Sequence, residues 1–392
     1  MPVWFNKANI YIFAWCLYYL QGPLYPVGSL FSQLLLLILL IVSFYYCFIA
    51  NTRYELPNFF IGLNLLIVLF FVYGLFLILG ADLDAKIPKH NYLVDVLKSL
   101  LPIYALYVFF REKKISERAI FVWICGFTIL AVVNYYYRER LLLLAAILNR
   151  SDKVEFTNNA GYAFLSLIPA YVLLYKKPLI QYVALGLSIV YMLMAMKRGA
   201  IIIGVMCFLW FIWNSLRYVA AKKKMIIVML TALLFLGSFW FIQNKMSESM
   251  YFQKRIEETL DGNSSGRDVI YEKMGSYYWN GTEPIQFLFG SGAFSTLRIF
   301  GSAAHNDWLE IAVNQGLLGI MSFLFFLVLF AKNAVSKSYS SHVRLALQLT
   351  FIVFFMKTFF SMSYSDVSLS MIFVLGYCLA QEKKNEYVIY RN

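Results

Sequence analysis

Only three histidines occur in the 392 residues, and one of them stands in a pattern that could do chemistry. His305 is followed by Asn306, then by Gly316 after nine further residues that begin with Asp307, and by Gly319 three positions later. A neutral imidazole, with an ordinary pKa near 6.5, is suited to take a proton from a hydroxyl at neutral pH. The plainer reading is an interfacial histidine ahead of a span, with Asn306 or Asp307 as the helix cap. On a helix starting near Asp307, Gly316 and Gly319 fall on adjacent turns, where missing side chains would permit close helix contact in lipid. His90 also precedes an asparagine, Asn91, so the dipeptide alone says little. His342 lies in a basic loop and reads as solvated.

Cations supply the second half of the pattern. Arg267 follows Ser264, Ser265 and Gly266, a flexible approach that could aim a guanidinium inward. Lys197 and Arg198 sit in a tight turn between two apolar runs, where the simpler role is an interfacial anchor. Planar guanidinium groups pair bidentately with phosphate oxygens, so Arg198 and Arg267 together could clamp a diphosphate. Arg138 and Arg140 are weaker candidates of the same kind, and Glu257, Glu258 and Asp261 read as a solvated loop face. A zinc site usually takes three or four ligands, and His305 has only carboxylates such as Asp307 and Glu310 nearby, so no metal is expected. No GxxxxGKS-type phosphate loop is present, and no cofactor is expected either.

The elements that must hold these residues are apolar. Hydrophobic residues make up 61% of the chain, aromatic residues 19% and charged residues 14%. Long apolar runs recur, each of a length to cross about 30 Å of hydrocarbon. The fold class is therefore all-α, a polytopic membrane protein, and the alternating pattern of a β-barrel is not found. Twelve candidate spans fall at roughly 8–22, 28–50, 57–80, 94–110, 119–137, 160–175, 178–196, 199–216, 225–243, 308–331, 343–361 and 366–381. The first reads as a span and not as a removed signal peptide. The apolar stretch 141–148 is too short to cross and is expected at the interface. All 392 residues then form a single multi-span domain, with 244–306 as one large loop between the ninth and tenth spans.

The formal charge of +13 is explained by membrane topology and not by nucleic acid. With both termini in the cytoplasm, the short inner loops collect most of the Lys and Arg, as the positive-inside rule requires. The long loop, which carries Arg267 and Arg298, faces outward and is exempt from that rule by its length. Cys16, Cys47, Cys125, Cys207 and Cys378 all lie in apolar runs and read as packing residues. In a Gram-negative cell the outer face is the periplasm, where nucleotide sugars are scarce. A group transfer there must draw on a donor already activated on a carrier.

Three motifs together carry a family resemblance: the turn Lys197-Arg198-Gly199, a late outer loop with SGRD at 265–268 and FGSGAFS at 289–295, and AHNDWLEIAVNQGLLG at 304–319. A many-span chain with these features resembles the O-antigen polymerase and O-antigen ligase superfamily. That likeness implies a metal-independent glycosyltransferase of the inner membrane, whose donor is a glycan on undecaprenyl diphosphate. It makes His305 the general base, places Arg198 and Arg267 on the diphosphate, and gives Asn306, Asp307, Gly316 and Gly319 supporting roles. The run from Ala304 looks more like the polymerases, which join lipid-linked repeat units. The ligases, which transfer to lipid A-core, are the alternative. Chain-length regulator and flippase proteins are the partners such an enzyme implies, alongside the bilayer. A flippase of lipid-linked sugars is the competing class, but such proteins place charges or broken helices near the midplane.

Overall fold

The computed structural model describes residues 6–79, 90–148, 158–217, 221–248, 257 and 267–382. In chain order the described helices are α1 Lys7–Tyr19, α2 Leu30–Arg53, α3 Asn58–Leu79, α4 His90–Leu100, α5 Pro102–Arg111, α6 Glu117–Leu148, α7 Gly161–Val172 and α8 Pro178–Met194. They continue with α9 Arg198–Arg217, α10 Ala221–Glu248, α11 Arg267–Asn280, α12 Pro284–Phe289, α13 Ser295–Phe300, α14 Asp307–Val335, α15 Ser341–Phe360 and α16 Leu369–Ala380. Among the described residues no strand forms beyond one isolated bridge between Gln21 and Tyr25.

Seven of these segments are long and apolar enough to cross a membrane by length and composition. They are Leu30–Arg53, Asn58–Leu79, Asn91–Arg111, Glu117–Leu142, Arg198–Arg217, Asp307–Val335 and Ser341–Phe360. The distribution of polarity supports the same conclusion. On α2, the outward residues include Leu34, Ile38, Ile41, Phe44 and Phe48, while Ser43 is buried and bonded to the Tyr11 hydroxyl at 2.6 Å. Apolar outside and polar inside is the arrangement expected when the surrounding medium is hydrocarbon.

The short helices α5, α7 and α16 are buried along almost their whole length and form the interior of the bundle. Glycines let backbones approach there. A side chain at Gly62 of α3 would press on the Phe326 backbone of α14, and one at Gly376 of α16 on the backbone of Leu106 in α5. Without a water-driven hydrophobic effect between helices, such close packing is what holds them.

Two sequence expectations are corrected. Residues 141–148 are not a separate interfacial piece: α6 runs unbroken through Arg138 and Arg140 to Leu148. His342 is not simply solvated. It stands in the first turn of α15, half-buried and stacked on Tyr175 with ring centroids 4.0 Å apart.

Candidate functional site

The start of α14 is fixed by its own side chains. Asn306 is the cap, and its Oδ1 accepts from the backbone N–H groups of Trp308 at 3.0 Å and Leu309 at 3.2 Å. Asp307 is fully buried, and its carboxylate accepts from the Ser363 N–H at 2.8 and 3.1 Å, tying the helix to the segment after α15. Glu310 reaches back one turn. Its Oε2 accepts from the Ala304 N–H at 2.8 Å, and its Oε1 accepts from the Thr296 hydroxyl and from Asn314 Nδ2. Both chain neighbours of His305 are thus pinned, and the histidine between them takes φ +52°, a left-handed conformation uncommon for any residue but glycine.

His305 stays exposed, but crowding on one side partly desolvates the ring and lowers its pKa below the ordinary 6.5. The positive fields of Arg267 and Lys197 lower it further. Their positions have clear causes. Arg267 opens α11, and its Nη1 donates to the Phe360 carbonyl at 3.1 Å. That carbonyl belongs to the last turn of α15, where backbone acceptors have no helical partner. The Tyr162 hydroxyl donates to the same oxygen at 3.4 Å.

The basic turn reaches the same place from another direction. Met196 adopts φ +49°, and the Asn158 N–H donates to the Ala195 carbonyl at 3.0 Å, which sets the corner between α8 and α9. Gly199 then lies against the Tyr162 hydroxyl and Phe360, with no room for a side chain. Lys197 Nζ stands 5.8 Å from the Tyr162 ring centroid. Lys357 Nζ stands 5.6 Å from the same ring and donates to the Asp366 carboxylate at 3.0 Å and the Asp366 carbonyl at 2.6 Å. Tyr162 is therefore the post around which Lys197, Lys357 and Arg267 gather.

Of the residues singled out from sequence, Arg267 is held at the end of α15 by the Phe360 carbonyl, while Arg198 opens α9 at the same corner as Lys197. The cation felt by His305 from that turn is Lys197. Sequence reasoning passed over Tyr162 altogether, weighed Glu310 only as a metal ligand, and gave Lys357 no role. Lys357 did give a signal, being a lysine inside an apolar run. Ser264, Ser265 and Gly266 lie outside the described residues, and of the acidic trio only Glu257 lies within them.

Gly316 and Gly319 do something other than pack one span against another. Gly316 has φ +67° and ψ −158°, which breaks α14 two and a half turns after its start. The turn after α12 fills the break. Ser291 N–H donates to the Val313 carbonyl at 2.8 Å and Gly292 N–H to the Asn314 carbonyl at 3.0 Å. The Tyr73 hydroxyl donates to the Phe289 carbonyl and, at 3.4 Å, to that of Gln315. Gly290 and Gly316 meet backbone to backbone, so neither could carry a side chain. Gly319 lies against Ile311 and Gln315 of its own helix, where the missing side chain makes room for the kink.

The arrangement offers a base on the exposed side, cations beside it, and a backbone that cannot shift freely. That combination suits removal of a proton next to a developing anion. No protein-family model matches the chain, and no curated protein matches it either.

Proposed function

We propose that the chain is a glycosyltransferase that joins oligosaccharide repeat units carried on undecaprenyl diphosphate, an O-antigen polymerase working at the outer face of the inner membrane. The observation that carries this reading is the gathering of Arg267, Lys197 and Lys357 around Tyr162 and the Phe360 carbonyl, at the end of α15 to which Asp307, two residues after His305, is bonded through Ser363. His305 takes the proton of the acceptor hydroxyl, and the hydroxyl oxygen attacks the anomeric carbon of the donor sugar. The bond from that carbon to the diphosphate oxygen breaks, and the charge that builds on the diphosphate is met by Arg267 and the Lys197-Arg198 turn. Cations fixed where charge develops stabilise the transition state more than the ground state. Within this reading the chain crosses the membrane twelve times, both termini face the cytoplasm, and the loop 244–306 is periplasmic.

The test uses the lipopolysaccharide of a strain in which the gene is deleted or carries His305→Ala. A lost polymerase leaves lipopolysaccharide capped with at most one repeat unit, seen as a single band without a ladder on a silver-stained gel. Bare core with polymer held on the lipid carrier would assign the ligase activity instead. An unchanged ladder would reject both.

A further inference from the structure

The turn that fills the helix break also roofs an open groove on another face of α14. A cavity of about 870 Å³ lies between α3 and α14, lined by Leu65, Val68, Val72 and Phe76 on one side and by Leu318 and Ser322 on the other. The stretch of α3 from Leu65 to Leu77 rises about 18 Å at 1.5 Å per residue, a little over half the depth of a hydrocarbon core. The loop end of the groove is closed by the glycines at 290 and 292 and by Arg298. Arg298 is anchored, its Nη2 donating to the Ser291 carbonyl at 3.0 Å and the Ser295 hydroxyl at 3.1 Å, and its side chain remains exposed. Among the described lining residues it is the charged one.

Bare lipid-facing surface needs no fixed cation. An apolar trough with a guanidinium held at one end fits an amphiphile, with hydrocarbon along α3 and an anionic head at the arginine. We propose that this groove seats the chain of a second polyprenyl diphosphate, the acceptor, with its diphosphate on Arg298. The identity of that lipid rests on the function proposed above; the groove itself does not. The two cationic positions flank the start of α14, with Arg267, Lys197 and Tyr162 against α15 and Arg298 on the α3 side. The Ser291–Val313 and Ala304–Glu310 bonds join both sides to the helix that follows His305. A reaction between two lipid-borne glycans needs two such seats around one base.

The full chain in nanodiscs, loaded with a polyprenyl diphosphate bearing a photoreactive diazirine on its chain, tests this by mass-spectrometric mapping of the adducts. Adducts are expected on the α3 peptide around Val72 and on α14 around Leu318. Arg298→Gln should reduce them about tenfold, the usual effect of losing one charge-assisted contact. Val72→Trp, which fills the groove from a lipid-facing position, should do the same without depending on the headgroup. Adducts displaced equally by excess phosphatidylglycerol, or indifferent to Arg298→Gln, would overturn the proposal by marking ordinary lipid contact. Adducts confined to α7, α9 and α15 and dependent on Arg267 would overturn the groove and leave the proposed function standing. Groove adducts with none that depend on Arg267 would keep the lipid site and count against the proposed function.

Discussion

His305 depends on its neighbours for its protonation state. Partial desolvation and the fields of Arg267 and Lys197 hold its pKa below 6.5, so the ring stays neutral as the pH falls toward that value. A base in that state loses activity only at pH below the lowered pKa. Replacing Lys197 by Gln removes one positive field and raises the pKa. The acid limb of the rate profile should therefore move to higher pH, as read from initial rates between about pH 4.5 and 7.5. His305→Ala should lower turnover by about two to four orders of magnitude, whereas His90→Ala should be nearly silent in the same assay. Arg267→Lys keeps the charge but loses the planar fork that reaches the Phe360 carbonyl, so polymer formation should still be impaired. His305 and Arg267 could be found in the sequence because their motifs are local. Tyr162 could not, since its role comes only from the convergence of residues 197, 267 and 357 around one ring.

At the scale of elements, the long helices were readable because an apolar run of sufficient length has few alternatives in a membrane. The misreadings came from features that pattern alone hides. Charges at Arg138, Glu139 and Arg140 interrupt the apolar run but not the helical backbone, so α6 continues through them. A glycine pair at i and i+3 looks the same whether it packs a neighbour or breaks its own helix, and only the positive φ of Gly316 decides. Gly316→Ala should be destabilising, because a backbone at φ +67° and ψ −158° is essentially reserved for glycine and costs other residues about 1–3 kcal/mol, and the new methyl group would overlap the Gly290 and Leu288 backbone. Gly275→Ala in α11 is the contrasting case, with open space at the position. It should be neutral or stabilising by up to about 1 kcal/mol. Thermal unfolding midpoints of the two variants in detergent, measured against the parent, check both outcomes.

At the scale of the whole molecule, the proposed topology puts the loop 244–306 and the turn at Lys197 on the periplasmic side and the connection between α5 and α6 on the cytoplasmic side. A cysteine at Asn280, in a variant without the five native cysteines, should react with a membrane-impermeant thiol reagent applied from the periplasm. A cysteine at Lys113 should not. The reverse labelling pattern would invert the proposed topology and put His305 on the wrong side for a periplasmic reaction. The bundle architecture followed from composition, whereas the groove between α3 and α14 did not, because residues near 70, 290 and 320 meet only once the chain is folded.

The break in α14 also bears on how the protein is made. A span entering hydrocarbon normally brings its hydrogen bonds with it, since each unmet backbone group there costs several kcal/mol. This span cannot do so alone, because the carbonyls of Val313, Asn314 and Gln315 take donors from Ser291, Gly292 and Tyr73. All three donors precede α14 in the chain, and synthesis proceeds from the N-terminus. The ribosome therefore delivers the donors before the acceptors, and α14 leaves the translocon into a berth whose hydrogen-bond donors are already waiting.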